Sequence, residues 1–290
     1  MKKHYSKMNL SAILMITSSF LFALMGVCVR FASQTLPVSE VVLFRSLVGL
    51  ILILPIMILK KARFLGQRPQ ILATRGIAGF LALSLYFWAI TKIPLATAVM
   101  LNYTSPLFVA ILAPFILKEK TNWKIFAVIL LGLIGIIFVV DPHSGINIQG
   151  AWIGLISGVF AALAYLSIGS LRRDHSSLTI VFYFIWISTA LAIPVAWTSF
   201  RIPNLLEALY LTGTGTFATL AQILMTEAYQ KGSTAATSAY SSSIVLFSMI
   251  LGGLIWKEIP TILSIVGGGL IVLSVILISR LEKTEVMTTD

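Results

Sequence analysis

Polar residues are sparse along this chain and collect at intervals, leaving ten long apolar runs between them. The runs extend from Leu10 to Phe31, Val38 to Leu59, Ile71 to Ile90, Leu95 to Leu117 and Ile125 to Val140. They continue from Ala151 to Leu171, Leu178 to Trp197, Leu205 to Ala228, Thr234 to Trp256 and Ile259 to Ile278. A helix needs about 20 apolar residues to cross the hydrocarbon core, so the pattern predicts an all-α integral membrane protein with ten transmembrane helices. The fifth and tenth runs follow closely on their predecessors and are the least distinct divisions. Connections of a few residues leave no room for a soluble domain. The first run is too long for a signal-peptide core and no small-residue cleavage site follows it, so it reads as a retained helix.

The fourth run carries polar groups at its middle, NYTSPLF from Asn102 to Phe108. Pro106 has no amide hydrogen, so the Asn102 carbonyl one turn earlier loses its helical partner. At that depth the carbonyl has to face protein, water or a ligand, because exposure to lipid costs several kcal/mol. Asn102, Ser105 and Pro106 share one helix face. Either this face lines a binding cavity with Pro106 as a hinge, or its polar groups bond a neighbouring helix and Pro106 only kinks the chain.

An offset of 139 residues lays LFVAILAPFILKE (Leu107 to Glu119) on LFSMILGGLIWKE (Leu246 to Glu258), with 7 of 13 positions identical. The same offset runs without a gap from Ala89 to Phe138 and pairs Lys92 with Lys231. The chain therefore reads as two repeats, residues 10–141 and 151–280. Five helices per repeat is an odd number, so the second copy enters the membrane from the opposite side. Two inverted five-helix repeats are the architecture of many secondary transporters. Duplication in a non-transport membrane scaffold is the blander reading.

Composition agrees: 58% of the 290 residues are hydrophobic, 11% are charged and the mean hydropathy is +0.98. The net charge of +11 could suggest nucleic acid, but the cations cluster between apolar runs. With both termini cytoplasmic, 15 Lys and Arg lie inside and only Arg30, Lys92, Arg201 and Lys257 outside. That bias predicts a multi-pass inner-membrane protein with no nucleic-acid partner. Cys28 is the only cysteine, and His4, His143 and His175 fall in tails or loops. No metal site, cofactor motif or paired carboxylates emerge, so an enzyme is not expected.

The order Arg75-Gly76, Ala89, Ala96 to Ala98, Pro106-Leu107 and Glu119 resembles the EamA family of the drug/metabolite transporter superfamily. The second half keeps Ala228, Ala235, Glu258 and Pro260 but has Val245 where the proline would be, and Arg45 also matches a position where the family often has arginine. The resemblance implies a ten-helix bundle around a central cavity, with the fifth and tenth helices outside. It also implies transport of amino acids, nucleotide-related compounds, sugars or drugs. The helix 3 and 4 region looks like carriers that take up S-adenosylmethionine.

The offset places Ser241 opposite Asn102 and Ser242 opposite Tyr103, within a hydroxyl stripe that includes Thr234, Thr237 and Ser238. Both walls of one cavity could be built this way, or the hydroxyls could bond their own helix carbonyls. Arg45, seven residues into the second helix and roughly 10 Å below the outer surface, is costly there. It is expected to hold a substrate carboxylate, close a gate or serve a structural role. Arg75 is expected to snorkel to the cytoplasmic interface. Tyr103, Tyr165 and Tyr240 are the candidate stacking aromatics, and Gln222 adds polarity to the eighth helix. Gly150, Gly154 and Gly158 are expected to let the sixth helix approach a neighbour closely. The only intramembrane carboxylates, Glu40 and Glu227, sit near helix ends, so coupling to protons has no central candidate.

These residues point to a carrier for a small polar or zwitterionic metabolite, amino-acid-like or nucleoside-like, with S-adenosylmethionine among the options. A drug or metabolite exporter is the alternative, followed by a passive channel. Lipid and a small-molecule substrate are the expected partners, and a homo-oligomer is left open.

Overall fold

In hydrocarbon, backbone N–H and C=O groups must be satisfied within the protein, which leaves helices as the local solution for apolar runs of this length. The computed structural model describes residues 2–64, 66–117, 123–140, 145–171, 174–231, 240–241 and 243–288, and every regular element among them is a helix. The helices are α1 (Lys2–Ala32), α2 (Val38–Leu59), α3 (Pro69–Lys92), α4 (Leu95–Asn102), α5 (Ser105–Leu117) and α6 (Trp123–Val140). They continue with α7 (Ile148–Leu171), α8 (Ser177–Trp197), α9 (Leu205–Lys231), α10 (Ser243–Trp256) and α11 (Ile262–Thr288). Six spans are long and apolar enough to cross a membrane on those grounds alone, the fourth being the Leu95–Leu112 stretch that α4 and α5 share. Thr234, Thr237, Ser238 and Ser242 of the hydroxyl stripe, Glu119, and the loop residues Lys118, Lys120, His143, Arg172 and Arg173 lie outside the described residues.

Proline sets several of the starts. Pro37 and Pro94 cap α2 and α4, and Pro69 occupies the first turn of α3, where a missing N–H costs nothing. Ser176 caps α8 by accepting from the Thr179 N–H at 3.2 Å.

The helix bounds carry the 139-residue offset through regions where sequence identity is weak. Val38 and Ser177 open α2 and α8, and the described parts of α1 and α7 run to Ala32 and Leu171, those of α3 and α9 to Lys92 and Lys231. The described parts of α5 and α10 run to Leu117 and Trp256, and those of α6 and α11 start at Trp123 and Ile262. Each pair is separated by that same offset, and so are the internal prolines Pro55 of α2 and Pro194 of α8. The packing obeys the same exchange. α1 packs on α9 as α7 packs on α3, α2 on α9 as α8 on α3, and α1 on α10 as α7 on α4 and α5. The pairs α2 with α8 and α6 with α11 map onto themselves. The fold is thus ten transmembrane segments in two inverted five-helix repeats, the fourth segment being broken into α4 and α5.

α6 and α11 pack on each other at the edge of the bundle, and their backbones approach at two glycines. A Cβ on Gly267 would lie 2.6 Å from the Gly135 carbonyl oxygen. α1, α3, α7 and α9 with the inner faces of α2, α4 and α8 enclose the centre. Their outward faces carry Trp88, Trp152, Trp186 and Ile51, all exposed to the surrounding medium, as a lipid-facing surface requires.

Candidate functional site

The break in the fourth span falls at Tyr103 and Thr104, immediately before Pro106. Tyr103 N–H still reaches the Val99 carbonyl at 2.8 Å, but Thr104 N–H tightens onto Leu101 O at 3.2 Å. α5 restarts from Thr104 O, which accepts from Leu107 at 2.9 Å. The Thr104 hydroxyl also caps Leu101 O at 2.6 Å. A one-residue change of register at a proline is the expected cause of such an interruption.

α7 fits against this break because it lacks side chains there. A Cβ on Gly158 would lie 2.7 Å from Thr104 Oγ1 and 3.0 Å from the Leu101 carbonyl oxygen. On Gly154 it would meet Leu101, and on Gly150 it would meet Lys92 and Ile93. All three glycines therefore serve the close packing expected of them. Asn102 Nδ2 donates to Ser157 Oγ at 3.0 Å, and Ser157 Oγ donates to Gly154 O at 2.5 Å. The amide bonds a neighbouring helix and also lines a cavity.

That cavity, of about 110 Å³, is lined by residues of both halves. With one water needing roughly 10–15 Å³ on this measure, it has room for several waters or a small organic molecule. Arg45, Asn102, Tyr103, Tyr165 and Gln222 all line it, as expected from the sequence. The structure does not bring the other candidates to it. Ser105 is buried at the start of α5, Tyr240 packs beside Met15, Met225 and Ala228, and the Ser241 carbonyl accepts from Ser19 Oγ at 3.3 Å. The α9 hydroxyls of Thr214, Thr219 and Thr226 are satisfied by carbonyls four residues back in their own helix.

Arg75 is a correction. It does not snorkel: it is buried to 3% exposure, as Arg45 is, and lines the same cavity. The two guanidinium carbons lie 4.8 Å (Arg45) and 4.4 Å (Arg75) from the centre of the Phe184 ring. Gly79, one turn beyond Arg75, makes this possible, since a Cβ there would run into Arg75 Nη1 and stand 2.7 Å from the Phe184 ring. Arg45 Nε and Nη1 and Arg75 Nε are buried without a hydrogen-bond partner. Phe184 and Tyr86 complete this wall. The available signal for Phe184 was the offset itself, because 139 residues separate Arg45 from Phe184 and the two meet where α2 and α8 cross.

At one end of the bundle a charged contact ties three elements together. Arg30, near the end of α1, pairs with Glu258 just beyond α10, and Glu258 Oε2 accepts from the Leu95 N–H at the start of α4 at 3.2 Å. The Arg30 guanidinium lies over the Trp256 ring at 4.6 Å. Elsewhere at that end Glu40 Oε1 accepts from Arg201 N at 3.1 Å. The repeat-related position at the opposite end, Thr179, donates to Arg63 O at 2.8 Å. Glu227 pairs with Lys231 on its own helix. Among the described residues no group of His, Cys, Asp and Glu could hold a metal ion.

The EamA-like transporter family model matches residues 9–141 and again 148–280. The Pseudopaline exporter CntI of Pseudomonas aeruginosa (strain UCBPP-PA14) is 36% identical over 274 residues, covering 93% of this chain and 96% of the exporter. The S-adenosylmethionine uptake transporter of Rickettsia bellii (strain RML369-C) is 26% identical over 246 residues, covering 84% of each. A solved crystal structure, 16% identical, superposes with a TM-score of 0.69 over 94% of this chain and 98% of its own, which shows a shared fold. A broken fourth span, inverted halves around a shared cavity and two family matches that together cover nearly the whole chain lead to one conclusion: this protein belongs to the EamA-like transporter family, as a multi-pass membrane transporter of a small metabolite and not an enzyme.

Proposed function

We propose that this chain is a secondary carrier that exports a small polar organic metabolite across the inner membrane by alternating access of its two inverted halves. The observation that carries the reading is the cavity walled by residues of both halves, with the Arg30, Glu258 and Leu95 contact tying one end. With the amino terminus cytoplasmic, as the cation bias favours, that end is the outer one. The contact then acts as an outer latch, and the repeat symmetry supplies a second, inward-closed arrangement of the same helices. The residue 10–141 and 151–280 halves are the bodies that rock.

Export is the favoured direction because the relative more similar to this chain, over a larger share of it, is named as an exporter. The uptake reading for S-adenosylmethionine is less well supported by chemistry: a sulfonium cation would face Arg45 and Arg75 at short range. Pro106 is the hinge about which α4 and α5 change their angle.

A thermal-shift screen of the purified protein against amino acids, small carboxylic acids, nucleosides and S-adenosylmethionine identifies a ligand, because one that binds the folded state stabilises it. Counterflow of that ligand in proteoliposomes then decides the mode. Accumulation of labelled ligand driven by unlabelled ligand on the other side is the expected result. Simple equilibration without counterflow would mark a channel and overturn the reading.

A further inference from the structure

We infer that Arg45 and Arg75 form a paired-guanidinium clamp around Phe184 that selects a substrate bearing two carboxylates on a short carbon frame. This rests on the central cavity being the transport site and names the chemistry of what enters it.

Two buried cations lining one cavity repel each other and demand counter-charge. No carboxylate among the described residues lines the cavity. Among the described residues, Glu40 is engaged by the Arg201 backbone, Glu207 by Arg201 and Asn204, Glu227 by Lys231 and Glu258 by Arg30. Asp174 pairs with Arg68 at a loop. All of these carboxylates stand at helix ends or in loops, away from the centre of the span. The Phe184 ring offsets part of the cost through its negative face. That is less than an unpaired buried charge requires. Arg45 Nε and Nη1 and Arg75 Nε have no partner, so the pair is pre-set for an anion.

The geometry limits the anion. Both guanidinium carbons lie within 5 Å of one ring centre, 4.8 Å and 4.4 Å, so they are no farther apart than the sum of those distances. Two carboxylates joined through a few carbons span such a gap, each taking the forked donors of one arginine. Asn102 and Gln222 line the same cavity and supply donors and acceptors for the polar parts of the frame. Tyr86 and Tyr165 offer it aromatic walls. Gly79 is part of the device, since any side chain there would displace Arg75 from the ring.

The test uses the purified full chain and three isosteric probes: glutarate with two carboxylates, glutaramate with one, and glutaramide with none. Dissociation constants are measured at constant ionic strength by ligand-dependent thermal shift. The expected order is glutarate, glutaramate, glutaramide, with a loss of about ten-fold in affinity for each carboxylate removed, as charge-assisted hydrogen bonds predict. In Arg45→Gln or Arg75→Gln glutarate should bind no better than glutaramate, and Arg75→Lys should recover part of the preference. A series in which glutarate does no better than glutaramide, including one in which none of the three binds, overturns the clamp. So does a preference that survives both glutamine variants. The comparison on the unsubstituted chain decides the matter even if a variant fails to fold. Counterflow of a ligand indifferent to both arginines would remove the clamp and leave the carrier standing. Arginine-dependent glutarate binding without counterflow of any ligand would do the reverse.

Discussion

Glu258 gives the most direct access to the transport cycle. Glu258→Ala removes its ion pair with Arg30 and the hydrogen bond from the Leu95 N–H, the two polar links between α1, α4 and the end of α10. The side chains of Arg30 and Glu258 retain 22% and 18% exposure, so the pair lies between a surface ion pair and a buried one. An exposed pair contributes about 0.2–1 kcal/mol and a hydrogen bond to a charged group about 1.5–3 kcal/mol. A combined loss near 2 kcal/mol follows. If the contact exists in only one of two states, the equilibrium between them shifts by roughly 30-fold, at about 1.4 kcal/mol per factor of ten. Met25, buried and facing the cavity, reports that shift as a cysteine. With Cys28→Ser removing the native thiol, Met25→Cys should react slowly with a membrane-impermeant maleimide applied from outside. It should react at least ten-fold faster once Glu258→Ala is added. Glu258→Gln keeps an acceptor for the Leu95 N–H and should fall between. Arg30→Ala combined with Glu258→Ala should cost less than the sum of the two single changes, because the two share one ion pair while the Leu95 N–H bond is lost only with Glu258. Equal labelling in all variants would show that the contact does not hold this end closed, and would refute the latch.

Pro106→Ala restores an N–H to the broken span. Thermal stability should be kept or raised while transport falls several-fold, and full activity would deny the break a role in the cycle. Gly158→Ala places a methyl 2.7 Å from Thr104 Oγ1, so it should lower stability by about 1–3 kcal/mol in denaturant unfolding, and a neutral result would contradict the close approach of α7 to α4. Asn102→Leu should abolish transport in protein that is folded and inserted. Ser241→Leu, by contrast, should lower stability through its packing near Ser19 while leaving ligand affinity of the folded fraction unchanged, and a selective loss of affinity would return Ser241 to the site.

Much of the cavity wall could be read from local patterns, and the part that could not follows a rule. Asn102 and Tyr103 announced themselves because a proline and polar groups inside an apolar run have few explanations. Arg45 did so because a charge deep in a span is costly. Arg75 misled, since a cation near a helix end ordinarily snorkels, and its actual direction depends on Gly79 and on Phe184 of α8. Ser105, Tyr240 and Ser241 share the right chemistry, but they do not line the cavity. The partner of Asn102, Ser157, lies 55 residues away on a helix whose glycines invited it without identifying it.

By itself, the sequence determined the class of protein, the ten spans, the inverted repeat and the place where the fourth span breaks. These are properties of the chain against its solvent: hydrocarbon demands helices of a set length, and a proline withholds its donor wherever it sits. Only the tertiary structure decided that two arginines share one ring, that Asn102 leans on Ser157, and that Arg30 finds Glu258 across the whole length of the chain. Such pairings depend on how each helix is rotated and which neighbour it packs against. Those choices are made by the close fit of glycines and side chains between helices, which no stretch of a single helix contains.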